Sequence, residues 1–155
     1  MAIYVGGFLI FLHDLFTAIW IGGLIFITMT ILPVLKKTFG HSPETEKVMD
    51  AIMQKHSKLV LISIIGLFVT GLLLSKKSPE FSGLFSFADL YNSLLSIKHI
   101  TVILMVVITL IRLFAYKSLA AATEKAKKKI SLGLLMVNSL FGVIVLLLSG
   151  LMANL

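Results

Sequence analysis

Four apolar runs bound what this chain can fold into. They cover residues 3–35, 59–74, 100–116 and 130–155, each near or above the roughly 17 to 25 residues that a membrane-spanning helix needs. Hydrophobic residues make up 58% of the chain and charged residues 14%, and the mean hydropathy is +1.05, far outside the range of a soluble domain. The expected fold is all-α: an integral membrane four-helix bundle running up-down-up-down, as a single domain over residues 1–155. The first run has no basic segment ahead of it, is too long for the apolar region of a cleavable signal and is followed by no processing site. It is expected to stay in the mature chain.

The lysines set the expected orientation. Lys36, Lys37, Lys47, Lys55 and Lys58 lie between the first two helices, and Lys117, Lys125, Lys127, Lys128 and Lys129 between the last two, against Lys76, Lys77 and Lys98 in the middle connection. Cytoplasmic loops carry the excess of basic residues, so both termini are expected outside a plasma (cytoplasmic) membrane. This placement also explains the formal charge of +7. The basic groups meet anionic lipid headgroups at helix ends, which makes the lipid bilayer the partner and not nucleic acid. Between the first two helices, Ser42 is expected to act as N-cap and Pro43 to open a second helix over residues 43–75. Pro33 is expected to kink the end of the first helix. Residues 75–92 should lie at headgroup depth without spanning.

Chemistry enters through ionisable groups in apolar runs, which cost several kcal/mol by most scales and therefore ask for a ligand, a partner or a wet cavity. At about 3.6 residues per turn, His13, Thr17, Trp20, Leu24 and Ile27 form one stripe of the first helix, with Gly23 beside it. The absence of cysteine removes thiolate metal sites, iron–sulfur clusters and c-type haem attachment. Histidines remain. His13 precedes Lys36 by 23 residues and His99 precedes Lys117 by 18, an offset of about 7 Å that helix tilt can absorb. Two histidines at similar depth on different helices can supply both axial ligands of one haem iron. His13 and His99 are the expected pair, Lys98 the basic group near the propionates, and His56 a further metal-ligand candidate nearer the inner boundary.

A tight first turn pairs position n with roughly 79 − n. This sets Gly66 opposite His13, with room for a flat macrocycle or for close helix packing, and Gly23 opposite His56. Trp20 is either a cofactor contact or a packing anchor. Asp14 has three readings: it orients an imidazole, pairs with Lys98, or reaches for water. Methionines such as Met29, Met105, Met136 and Met152 would suggest copper only where they converge with histidine.

His13, Trp20, Gly23-Leu24, Phe26 and Pro33 together resemble the first helix of the copper-resistance protein D (CopD) and HemJ-like superfamily of four-helix membrane haem proteins. Ile97-Lys98-His99 falls where those proteins place a lysine at the start of the third helix, and Gly71 is similar to a glycine near the end of their second. The likeness covers the first three helices. It implies a membrane bundle that binds b-type haem or handles copper, with porphyrinogen oxidation in the HemJ-like branch. Val34 stands where that branch has an arginine after the proline, and the chain carries no periplasmic copper-binding module. The expectation that survives is a small cytochrome b-like oxidoreductase in electron transport, with quinol or a redox protein as partner. Copper transport or resistance, porphyrinogen oxidation and a non-catalytic helical subunit stand as alternatives, and a homo-oligomer is left open.

Overall fold

The computed structural model describes residues 2–76, 83, 85–115 and 123–154. Parts of the expected middle and third connections, residues 77–82, 84 and 116–122, lie outside them, Lys77 and Lys117 included. The described residues are helical with no strand, and four helices are long and apolar enough to cross a membrane. The chain is an all-α integral membrane protein. Large apolar side chains such as Ile65, Phe68 and Leu147 point outward and are at least 60% exposed. Such a surface is covered by lipid, not water.

Two compact units, Met1–Pro79 and Glu80–Leu155, divide the chain. In the first, helix α1 (residues 2–39) runs as α-helix over Ala2–Thr17, passes through π-helical turns at Ala18–Gly22 and Ile27–Ile31 on either side of Gly23–Phe26, and ends as α-helix over Leu32–Phe39. The π turns re-aim the stripe read from the sequence. Trp20, Leu24 and Ile27 are buried as expected, but the next buried residue is Leu32, five positions on. A π turn takes one more residue than an α turn, so the buried face steps by five there. Pro33 follows at once. Its missing N–H would break an α-helical ladder, and local π adjustment is how spanning helices tolerate this.

Gly40 ends α1 at φ +64°, a left-handed conformation that glycine adopts without Cβ strain. Ser42 then caps helix α2 (Pro43–Ser75), its Oγ accepting from the Thr45 backbone N–H at 3.2 Å, with Pro43 in the first turn. Cap, first residue and length all agree with the sequence reading. So short a turn makes α1 and α2 antiparallel neighbours.

In the second unit, helix α3 (Leu90–Leu110) continues into a π turn at Ile111–Ala115, and helix α4 runs over Glu124–Met152. Asp89 caps α3, its two carboxylate oxygens accepting from the Asn92 backbone N–H at 2.8 Å and from Asn92 Nδ2 at 2.7 Å. These bonds, the backbone one foremost, hold the Asp89 carboxyl below its ordinary pKa. Ser96 fastens the preceding segment to α3: its Oγ donates to the Ser86 carbonyl at 2.8 Å and accepts from the Ser86 N–H at 2.9 Å. Met105, Leu135, Val145 and Leu148 fill the buried core of this pair.

Candidate functional site

His13 sits on α1 facing α2, and its ring is held by a specific contact. Nδ1 lies 2.9 Å from Thr70 Oγ1, and that hydroxyl lies 2.7 Å from the Gly66 carbonyl. The carbonyl can only accept, so the single Thr70 hydroxyl proton goes to it. Both contacts are then hydrogen bonds only if His13 Nδ1–H donates to Thr70 Oγ1. The imidazole thereby donates from Nδ1, and its orientation is fixed by Thr70. Gly71 lies under the ring, where an added Cβ would meet His13 Cε1 at an ordinary 3.7 Å. Asp14 is exposed, so of its three readings the orienting one falls to Thr70.

The expected register needs one adjustment. His13 does not lie on Gly66: its side chain reaches Thr70 and Gly71, about one turn beyond. Helical side chains lean toward the N-terminus of their own helix. In an antiparallel pair this carries a contact from α1 to higher numbers on α2 than the backbone level suggests. The space above Gly66 is taken by the Phe16 ring, which an added Cβ would strike. His56 leans the other way, toward the turn, and its ring rests on Gly23 so closely that any Cβ there would collide with it. That pairing is the one the register predicts.

Between these two histidines the interface stays polar. Trp20 is 1% exposed, within a π turn, and its Nε1–H finds no hydrogen-bond partner among the described residues; neither does the hydroxyl of Ser63, also 1% exposed. His56, Ser63 and Thr70 recur every seven residues along α2, a seam that returns to one face of the helix. That spacing was present in the sequence and marks Ser63 and Thr70, which a search for ionisable groups alone passes over. His13 and His56 share the interface but not a level: ten residues of α1 separate His13 from Gly23, about 15 Å. They cannot bind one metal ion together.

Lys98 and His99 belong to the second unit, both half-buried on α3. His99 Nδ1 is buried with no hydrogen-bond partner among the described residues. Further along α3, Thr109 Oγ1 accepts from Asn138 Nδ2 at 2.9 Å, joining α3 to α4 through two buried polar groups. No group of three or more His, Cys, Asp or Glu side chains able to hold a metal ion occurs among the described residues. A haem iron, already held by four porphyrin nitrogens, asks the protein for two ligands only.

Residues 15–129 match a family described as a domain of unknown function, DUF4149. No curated protein and no solved structure matches the chain.

Proposed function

The chain belongs to the DUF4149 family, and we propose that it is a b-type haem protein of the membrane that takes part in electron transfer. The observation that carries this reading is the orientation of His13. A ligating histidine commonly donates its other ring N–H to a fixed acceptor, which sets the tautomer and raises the basicity of the ligating nitrogen. Thr70, itself anchored on the Gly66 carbonyl, fills that role toward His13 Nδ1. His13 and His99 would hold the haem iron, with Lys98 offsetting propionate charge and Trp20 as an apolar wall. Bound haem would supply one-electron chemistry, its potential tuned by ligand identity, burial and nearby charge. The donor would be a quinol and the acceptor a redox protein at the outer face, where both termini would lie. The likeness to the CopD and HemJ-like superfamily in the first three helices supports the same reading.

The test is the absorbance of purified protein. A Soret band that sharpens with α and β bands on reduction is expected, lost in His13→Ala and in His99→Ala and kept in His56→Ala. Thr70→Val should lower haem affinity about 10- to 100-fold, the usual effect of removing a partner that orients a metal ligand. Copper without haem would select the transport reading, and turnover of a porphyrinogen the HemJ-like one. Absence of haem, copper and porphyrin chemistry alike would leave a helical subunit. Reporter fusions at both ends check the orientation; termini in the cytoplasm would remove the outer-face acceptor.

A further inference from the structure

The two helices of the first unit have unequal apolar lengths. In α2 the apolar part between Lys58 and Lys76 is 17 residues, about 26 Å of helix, barely enough to cross a hydrocarbon core of about 30 Å. It has none to spare. The apolar run of α1, residues 3–35, is 33 residues long, and the contact of His56 with Gly23 fixes how the two helices are aligned. Residues 24–35 of α1 therefore continue about 18 Å past the level at which α2 becomes charged. Tilting does not bring them into the bilayer, because it would draw Glu44, Lys47 and Asp50 of α2 into lipid as well. Nor can the hairpin fold back onto the membrane surface: α2 is one α-helix over Pro43–Ser75, with no proline, glycine or π turn between residues 44 and 65 at which to kink.

The projecting half of the hairpin has two unlike faces. Thr45 and His56 mark the side of α2 that meets α1, and at 100° per residue Lys47, Gln54 and Lys58 fall opposite them and are exposed. That face suits water. On α1, residues 21–35 carry no charge, Phe26, Met29 and Val34 are more than half exposed, and Thr28 gives its hydroxyl to the Leu24 carbonyl of its own helix at 2.9 Å. An apolar face held out of the bilayer calls for a protein partner.

Continuity identifies the partner. The exposed line runs on into the membrane through Gly22, Ala18 and Leu15, and a Cβ on Gly22 would meet nothing within 4 Å, so its bare backbone is open to a second helix. A soluble protein would meet only the projecting part of this line and lipid only the embedded part. A second α1 matches both, since copies inserted through the same spans present the same line at the same height. We propose that two copies of this chain pair through α1, parallel and in register along Ala18, Gly22, Phe26 and Met29, with the charged face of α2 turned outward to water. About a two-fold axis each of these residues meets its own counterpart. The pairing does not depend on haem, so the spectral test and this one fail independently.

The chain has no cysteine, so single-cysteine variants of the full chain test the pairing directly. Each is placed in phosphatidylcholine–phosphatidylglycerol vesicles at low protein density and oxidised with copper phenanthroline. Ala18→Cys and Met29→Cys should give a disulfide-linked species of two 17.0 kDa chains, and Lys47→Cys, on the far face of α2, should stay a single chain. Phe26→Glu combined with Met29→Glu should raise the dissociation constant of the pair at least about ten-fold, read by energy transfer between labelled chains. Circular dichroism checks that this double variant is folded, and the contrast between Met29→Cys and Lys47→Cys decides alone if it is not. Equal cross-linking at those two positions, none at Met29→Cys, or quenching by brominated lipid of a bimane label on Met29→Cys would each overturn the proposal. Cross-linking at Ala18→Cys without Met29→Cys would overturn it too, by confining the contact to the bilayer.

Discussion

The two helix pairs solve one problem differently. Lipid is as apolar as leucine, so helices in a membrane gain little by burying apolar area against each other and must associate through close packing and hydrogen bonds. The first pair uses glycine and a polar seam. Phe16 lies on Gly66, His56 on Gly23, and His13 passes its proton contact through Thr70 to a backbone carbonyl. In the second pair a buried amide–hydroxyl bond joins helices filled with Met105, Leu135, Val145 and Leu148, and of its glycines Gly133 and Gly150 have open space where a Cβ would go. The first pair is therefore intolerant of added volume at Gly23 and Gly66. The second tolerates volume at Gly133 and Gly150 but depends on its amide.

The largest effect expected from this comparison is at Gly66. Gly66→Leu drives a branched side chain into the Phe16 ring and should cost about 3 kcal/mol or more, at or above the upper end of overpacking penalties, seen as a fall in the detergent Tm of the purified protein. If Gly66→Leu melts like wild type, the close approach of α1 and α2 at that level is wrong.

Next in size are two matched threonines. Thr70→Val removes the acceptor of His13 Nδ1–H, and Thr109→Val removes the acceptor of Asn138 Nδ2. Each leaves a buried donor unpaired, a loss of about 1 to 2 kcal/mol measurable by steric-trap or denaturant unfolding. A larger loss at Thr109 would indicate that the second pair, lacking close glycine contacts at Gly133 and Gly150, leans harder on its buried amide–hydroxyl bond.

Gly133→Ala should go the other way. Glycine in a helix interior costs roughly 0.5 to 1 kcal/mol relative to alanine, and nothing lies within 4 Å of the new methyl group, so this variant should be slightly more stable than wild type in the same assay. Destabilisation there would mean that α4 is approached on a face the pair leaves open.

The smallest effect is the pH dependence of the α3 cap. The Asp89 carboxyl is exposed and its pKa is lowered in the fold by its bonds to Asn92. A depressed carboxyl pKa contributes stability above the unfolded value, about 3.9 for Asp, and that contribution is lost as pH falls through the lower folded value. Protection of the Asn92 amide, measured against the intrinsic exchange rate at each pH, should fall only on acidification below that range, and in Asp89→Asn it should be independent of pH there. Loss of protection beginning near neutral pH would mean that another group controls the start of α3.

Much of this was legible in the chain because the physics behind it is local. Apolar length determines the four spans, Ser42-Pro43 opens α2, and a tight turn brings His56 to Gly23. Histidines in apolar runs stand out by the cost of burying them, which is how His13, His56 and His99 came forward. The polar partners did not stand out: threonine, serine and asparagine are common in spanning helices, and only packing shows that Thr70 orients His13 and that Asn138 meets Thr109. Three things belong to the tertiary structure alone. The π turns shift the buried face from a step of four to a step of five after Ile27, because a widened turn is a property of the packed helix and not of any residue type. The lean of side chains along antiparallel helices moves His13 from Gly66 to Thr70 and Gly71. The donor role of His13 Nδ1 follows from a Thr70 hydroxyl already committed to the Gly66 carbonyl, which His13 meets only when α1 and α2 are packed together.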